Sequence, residues 1–194
     1  MTFSRSRVNQ QVRAIGLSNE TPWGVMRFLA AARATGAPRV ASLQNAYSLL
    51  CRGFETALAE VCHRERVSLI AYSPLAMGLL TGKYTRPGGA PATARLNLYK
   101  NRYAEAEGRY SLASPNVVAA VEAYSRIAAD AGLSPANLAL RFAASHAACA
   151  CALTGATQEA QLRELLRAAA DGPLPRELLD AIEGVHVNYP NPTP

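Results

Sequence analysis

A chain of 194 residues is long enough for one ordinary domain with a sizeable core. Hydrophobic residues make up 49% of it and charged residues 18%, which excludes an intrinsically disordered chain. The net charge of +6 favours anionic partners in general, but no basic run with interleaved aromatic residues is present, so no nucleic-acid partner is predicted.

Short apolar runs alternate with helical patterns along the chain, which predicts parallel βαβ crossovers. The predicted strands cover residues 12–17, 40–44, 67–72 and 149–153. The predicted helices cover residues 22–35, 54–66, 115–131, 135–147, 158–170 and 175–187. Thr21 is the expected cap of the first helix and Gly36 its stop. Residues 81–114 are predicted to be irregular, because Pro and Gly cluster at 86–91.

Polar residues and glycines cluster where each predicted strand ends. They are Ser18 and Asn19, Gln44 and Asn45, Tyr72 and Ser73, and Gly155–Thr157. In parallel α/β folds, ligands bind at the carboxyl ends of the strands, so these ends predict one shared site. Neither the Gly-rich dinucleotide fingerprint nor a P-loop is present, which favours a barrel-type sheet over a doubly wound one.

The cysteines do not have the spacing of a zinc site with the histidines, and no metal is predicted. Their apolar neighbours predict buried thiols in a reducing compartment; they are Cys51, Cys62, Cys149 and Cys151. Cys149 and Cys151 are two apart in a predicted strand and should share one face of it.

The chain carries no signal for secretion or membrane insertion. Met1–Arg7 lacks the apolar region of a secretory signal. The longest uncharged stretch, residues 142–158, is shorter than a bilayer span. The sequence therefore predicts a cytoplasmic protein without a membrane partner.

Four segments of the chain resemble the aldo-keto reductase superfamily. They are residues 15–19, 44–50 and 72–84, and Gly155–Thr157 with Gln161, Leu162 and Glu164 behind it. The segments are most similar to the Tas-like, NADP(H)-dependent branch of the family, and the similarity runs from about Val12 to the end of the chain.

The resemblance implies an α/β fold that is a partial (β/α)8 TIM barrel. About four parallel βα units are expected, similar to the fifth to eighth units of the family barrel, followed by a C-terminal helix. The family domain is placed at residues 12–188, between a poorly matching segment 1–11 and a tail 189–194.

The resemblance also implies a site for NADP(H), the predicted dinucleotide partner. Ser18, Asn19 and Gln44 match the positions that hydrogen-bond the nicotinamide carboxamide, which needs a donor and an acceptor. Tyr72 matches the aromatic residue that stacks beneath the nicotinamide ring. Two further sets match: Ser73, Pro74, Leu75, Gly78, Lys83 and Arg95 beside the phosphates, and Gly155, Thr157, Gln161 and Glu164 at the adenosine end.

These matches also have plainer interpretations. Ser18 and Asn19 are suited to opening a loop, and Tyr72 to an ordinary place in the core. Lys83 and Arg95 are equally suited to solvated loop positions.

The adenosine end departs from the family pattern at one position. Thr157 is expected to cap the following helix and to share a face with Glu164. Leu165 stands where the family usually has Asn, which removes one expected hydrogen bond to adenine.

The family's catalytic Asp, Tyr, Lys and His lie on its first four strands, which have no counterpart here. The resemblance thus implies the cofactor-binding half of an NADP(H)-dependent carbonyl reductase, inactive alone and completed by a chain that carries the N-terminal half. The alternatives are a non-catalytic nucleotide-binding or assembly module, for example a homodimer, and a truncated reading or remnant of a longer gene. A half-barrel is expected to expose two sheet edges and an apolar inner face.

Overall fold

In a computed structural model of the protein, the structure describes residues 12–193, except for the side chains of residues 105 and 106. The predicted segment 1–11 lies outside the described residues. The strands are β1 (Ile15–Ser18), β2 (Val40–Ala46), β3 (Ser68–Tyr72) and β4 (Cys149–Ala152). The helices are α1 (Pro22–Thr35), α2 (Leu58–Glu65), α3 (Arg95–Leu98), α4 (Ala104–Arg109), α5 (Pro115–Asp130), α6 (Pro135–Ser145), α7 (Glu159–Ala170) and α8 (Arg176–Asn188).

The four strands form one parallel sheet in the order β1-β2-β3-β4. This confirms the predicted α/β class and is consistent with a partial TIM barrel. Because all four strands run in the same direction, their carboxyl ends meet at one edge of the sheet. The strands β1 and β4 are the outer members of the sheet that the described residues form.

Helix boundaries follow the capping residues that the sequence contains. The Thr21 hydroxyl accepts a hydrogen bond from the Gly24 N–H at 3.1 Å, and Gly36 ends α1 in the left-handed conformation with φ 66°. Ser134 caps α6 in the same way, with 3.1 Å between its hydroxyl and the Asn137 N–H. No helix among residues 12–193 combines the length and the apolar character needed to cross a membrane.

Two predicted segments differ from the structure. The predicted helix 54–66 is divided into a 3-10 turn, Gly53–Thr56, and α2, because Ala57 has a non-helical φ of −147°. The predicted irregular section 81–114 contains the short helices α3 and α4. Their few residues give too short a pattern for helical periodicity to be recognised in the sequence.

The helices cover one face of the sheet. Leu17, Leu43 and Leu69 are paired across β1, β2 and β3 on this face, and Leu43 and Leu69 have no exposed surface. They belong to a core that the helices supply with Val25, Leu29, Val117, Val121, Leu138 and Phe142. Burial of these apolar side chains is the main term that stabilises the domain.

The opposite face of the sheet carries mostly small or polar side chains. Two rows lie in register: Gly16, Ser42 and Ser68, then Ser18, Gln44, Ile70 and Cys151. A Cβ atom added to Gly16 would collide with the Ser42 hydroxyl, so both positions face the same side. The predicted apolar inner face is therefore wrong, since Ile70 is the only aliphatic side chain in these two rows and packs into neither apolar cluster of residues 12–193.

The cysteine prediction is confirmed for two thiols and corrected for the others. Cys51 and Cys62 are buried, whereas Cys149 is half-buried and Cys151 is exposed. A bulge between β3 and β4 pairs Leu69 with Cys149 and Ile70 with Cys151, which leaves Ala150 as an extra residue. Since Leu69 and Ile70 point to opposite faces, Cys149 and Cys151 do so as well, and the prediction that they share a face is wrong.

Because only one face of the sheet is covered, truncating neighbouring side chains on the two faces should lower the free energy of unfolding by different amounts. Leu69→Ala removes a fully buried side chain and should lower the free energy of unfolding by about 3 kcal/mol. Ile70→Ala, the matched control on the uncovered face, should lower it by only about 1 kcal/mol. Urea unfolding followed by circular dichroism measures both, and equal losses would contradict the one-sided core.

Candidate functional site

The first group of candidate residues lies where β1, β2 and β3 end. Ser18 is the register partner of Gln44. Asn19 adopts the left-handed conformation with φ 53°, which Asn tolerates better than most residues, and its N–H donates to the Gln44 carbonyl oxygen at 2.9 Å. The Tyr72 hydroxyl donates to Asn19 Oδ1 at 2.8 Å. The structure thus brings Ser18, Asn19, Gln44 and Tyr72 together at one edge of the sheet.

Arg109, at the end of α4, also contacts this group, and the sequence analysis did not identify it. Its Nη1 donates to the Tyr72 hydroxyl at 3.4 Å, and its Nη2 lies 3.7 Å from Cys51 Sγ. Burial raises the pKa of the Cys51 thiol, while Arg109 acts in the opposite direction. No signal in the sequence singles out Arg109, because it ends a short helix inside the section predicted to be irregular.

Tyr110 is a second residue that sequence reasoning missed. It is buried next to Ser73. Burial raises the pKa of Tyr110, and the nearby Ser73 side chain and Arg109 partly oppose this change. Arg109 therefore holds the end of α4 at the end of β3, and Tyr110 lies close to Ser73.

The second group of candidate residues lies in and beside the loop after β3, which has an unusual backbone. Ser73, Ala76 and Met77 have φ values of 53°, 48° and 57°, and Gly78 has a φ of 94°. The left-handed region costs a residue with a side chain about 1–2 kcal/mol, so this loop stores strain of the kind found at binding sites. Backbone bonds of 2.8 Å, from the Ala76 N–H to the Ser73 oxygen and from the Gly78 N–H to the Leu75 oxygen, hold the turn together. Pro74 is buried beneath it.

Gly78 meets two requirements at once. Its φ of 94° favours glycine, and a Cβ atom there would lie 3.2 Å from both Nζ and Cε of Lys83. The Lys83 side chain therefore passes directly over the Gly78 backbone. This places an ammonium group beside the backbone of the loop.

Basic residues surround Tyr84 next to this loop. Lys83 Nζ lies 5.3 Å from the centre of the Tyr84 ring. The Tyr84 hydroxyl accepts from the Leu96 N–H at 2.9 Å, which holds the start of α3, and Arg95 is close enough to lower the pKa of Tyr84 against the larger effect of burial. Burial and the charge of Arg86 both lower the pKa of Lys83. A bound anion would relieve the repulsion between these cations.

The third group lies at the start of α7. The Thr157 N–H and hydroxyl donate to Gln161 Oε1 at 3.0 and 3.4 Å. Gln158, not Thr157, is the capping residue of α7, so Thr157 is outside the helix and the predicted cap is wrong. Gly155 is exposed, with open space where a side chain would begin.

Glu164 and Leu165 connect α7 to its neighbours. Glu164 accepts a hydrogen bond from the hydroxyl of Ser134, the cap of α6. Leu165 is 5% exposed and packs with Leu140 and Ala168 in a small apolar cluster that also contacts Leu75. Leu75 thus joins the loop after β3 to α7, and Leu165 has a packing role where the resemblance expects a polar residue.

The three groups together offer a definite set of chemical functions. They supply side-chain amides and a flat aromatic face at the strand ends, and cations next to the loop that follows β3. In the part of the chain that the structure describes, no group of three His, Cys, Asp or Glu side chains is placed to hold a metal ion. The arrangement suits a ligand that carries an amide, a flat ring and phosphate groups.

Comparisons with known proteins agree with the motifs. Residues 10–186 match the Aldo/keto reductase family. Protein tas of Escherichia coli K12 is 44% identical over 184 residues, which cover 95% of this chain and 51% of that protein. The NADH-specific methylglyoxal reductase of the same organism is 29% identical over 186 residues, covering 89% of this chain and 50% of that protein.

A probable voltage-gated potassium channel subunit beta of Arabidopsis thaliana is 34% identical over 151 residues, covering 76% of this chain and 44% of that protein. The chain spans about half the length of the curated relatives it matches. Because the family match extends over most of the chain and includes all four strands, this chain belongs to the aldo/keto reductase family.

Proposed function

We propose that this chain binds NADP(H) and forms the cofactor-binding half of an oxidoreductase that reduces aldehydes or ketones. The observation that carries the proposal is the contact among Ser18, Asn19, Gln44 and Tyr72, made by residues that are far apart in the sequence. When bound, the reduced nicotinamide supplies the hydride for such a reaction.

The first group has the chemistry that a nicotinamide requires. Asn19 and Gln44 together supply amide donors and acceptors for a carboxamide. Tyr72, fixed by its bond to Asn19, supplies a flat surface on which a ring can stack. We propose that these contacts fix which face of the nicotinamide is offered to the substrate.

The loop after β3 supports a phosphate site. Lys83 crosses Gly78, where a Cβ atom would narrow the space, and Arg95 lies on the same side of the domain near Tyr84. We propose that Ser73, Pro74 and Leu75 line the pyrophosphate, with Lys83 and Arg95 as its cations. Gly155, Thr157, Gln161 and Glu164 would then face the adenosine.

The preference for NADP(H) over NAD(H) is a proposal that the family branch and the excess of cations support. One relative is by its name NADH-specific, so members of the family differ in this property. At the adenosine end, the Arg163 guanidinium is paired with Glu159 at 2.6 Å, which reduces its availability for a 2′-phosphate.

We also propose that the 194-residue chain does not reduce carbonyl compounds by itself. In the family, the proton donor and its partners lie on the first four strands. The described sheet consists of four strands whose carboxyl ends carry the proposed cofactor site. A polypeptide that carries the N-terminal half of the barrel would be the complementing partner.

A second candidate function is a non-catalytic nucleotide-binding or assembly module. It is favoured by large apolar side chains that are exposed on the helices after the two outer strands. Phe28 on α1 is 50% exposed, and Leu166 on α7 is 61% exposed. A second copy of the chain would cover them in a symmetric dimer, which sedimentation with and without NADPH distinguishes from a monomer.

We propose a reducing, cytoplasmic environment for the chain. All four cysteines are free thiols, and two of them are buried in the core. Disulfide bonds are rare in such compartments, which is compatible with this arrangement.

Replacing Lys83 tests the phosphate site. Lys83→Gln removes a charge-assisted contact and should weaken NADPH binding about tenfold, as followed by the fluorescence of NADPH itself. The same substitution at Lys100, an exposed lysine between α3 and α4, is the control and should leave binding unchanged. Equal effects of the two substitutions would contradict a specific role for Lys83.

The activity of the isolated chain tests the second part of the proposal. The chain should bind NADPH but should not oxidise it in the presence of 4-nitrobenzaldehyde, because no proton donor is supplied to the carbonyl. Absorbance of NADPH measures its consumption. Steady, enzyme-dependent turnover by the pure chain would show that it carries its own catalytic groups.

A further inference from the structure

We propose that Arg109 is a positioning residue for the nicotinamide part of the ligand, acting through Tyr72 and Asn19. The inference rests on the proposed function. It assigns a role in ligand binding to Arg109, which lies in the segment between β3 and α5. Three residues from distant parts of the sequence form one hydrogen-bonded chain: Arg109 Nη1 to the Tyr72 hydroxyl at 3.4 Å, and that hydroxyl to Asn19 Oδ1 at 2.8 Å.

The direction of this hydrogen-bonded chain follows from the chemistry of its first member. A guanidinium group has donors only, so the Tyr72 oxygen must accept from Arg109. The single hydrogen of the Tyr72 hydroxyl is then directed at Asn19 Oδ1. With its oxygen engaged, Asn19 presents its NH₂ group to a ligand, which is the group that a carboxamide oxygen needs.

The two ends of the hydrogen-bonded chain are fixed by other contacts. Arg109 Nη2 lies 3.7 Å from the buried Cys51 thiol, and the next residue, Tyr110, is itself buried, with Ser73 close enough to lower its pKa. At the other end, the Asn19 N–H is bonded to the Gln44 carbonyl oxygen at 2.9 Å. Arg109 thereby determines both the orientation of the Tyr72 ring and the amide orientation of Asn19.

A purely structural role for Arg109 makes a different prediction, and two ligands separate the two roles. The first is NADPH, and the second is 2′-phospho-ADP-ribose, which is the same molecule without the nicotinamide. Loss of a positioning residue should weaken the binding of NADPH only. Loss of a structural residue should weaken the binding of both ligands.

The experiment titrates both ligands against the full chain and its variants by calorimetry. Arg109→Met should weaken NADPH binding about tenfold and leave 2′-phospho-ADP-ribose binding unchanged. Tyr72→Phe should have the same selective effect, and the double variant should lose no more than either single variant, because all three interrupt one chain of bonds. Arg102→Met, in the exposed segment just before α4, is the matched control and should change neither affinity.

The remaining outcomes overturn the inference in distinguishable ways. Equal weakening of both ligands by Arg109→Met would assign Arg109 a structural role. Unchanged NADPH binding in that variant, or in Tyr72→Phe if the arginine variant does not fold, would remove the positioning role altogether. If the unsubstituted chain binds NADPH no tighter than 2′-phospho-ADP-ribose, the inference is overturned but the proposed phosphate site is retained. If the unsubstituted chain binds neither ligand, the proposed function is overturned as well.

Discussion

The parallel pairing of four strands is the constraint on which the rest of the structure depends. It brings the ends of β1, β2 and β3 to one edge, so that Ser18, Gln44 and Tyr72 become neighbours although helices separate them in the sequence. The helices stabilise this arrangement because they pack on one face of the sheet. Leu43 and Leu69 lie at the centre of the layer that they bury. A change that uncovers this layer would move every residue of the first group.

The strained loop after β3 depends on the same core. Ala76, Leu79 and Leu80 are buried in it, and this anchoring keeps Ser73, Met77 and the intervening residues in conformations that they would otherwise leave. In the proposed cofactor site, the loop would therefore present its backbone and Lys83 in a fixed position before a ligand binds. A binding site organised in advance loses less conformational entropy when it is occupied.

The sequence was sufficient to predict features that depend on local patterns, and insufficient for those that depend on tertiary pairing. The strands, the cap Thr21 and the residues at the strand ends all have local signals. The exposure of Cys151 depends on a bulge in the pairing of β3 with β4, which the alternation of residues in one strand cannot reveal. Arg109 reaches Tyr72 only because α4 folds back onto β3, and a helix of six residues leaves no periodic signal.

The polar character of the uncovered face bears on what can complete this fold. A second copy of the chain would place Ser42, Gln44 and Ser68 opposite the same residues, and these groups would need hydrogen-bond partners once water is excluded. A partner with larger side chains at the matching positions would fill the space that Gly16 and the serines leave open. Its own polar groups would form hydrogen bonds with the serines and with Gln44. This face therefore favours the proposed complementing polypeptide over the proposed second copy, and the exposed side chains of Phe28 on α1 and Leu166 on α7 would provide apolar contacts in either case.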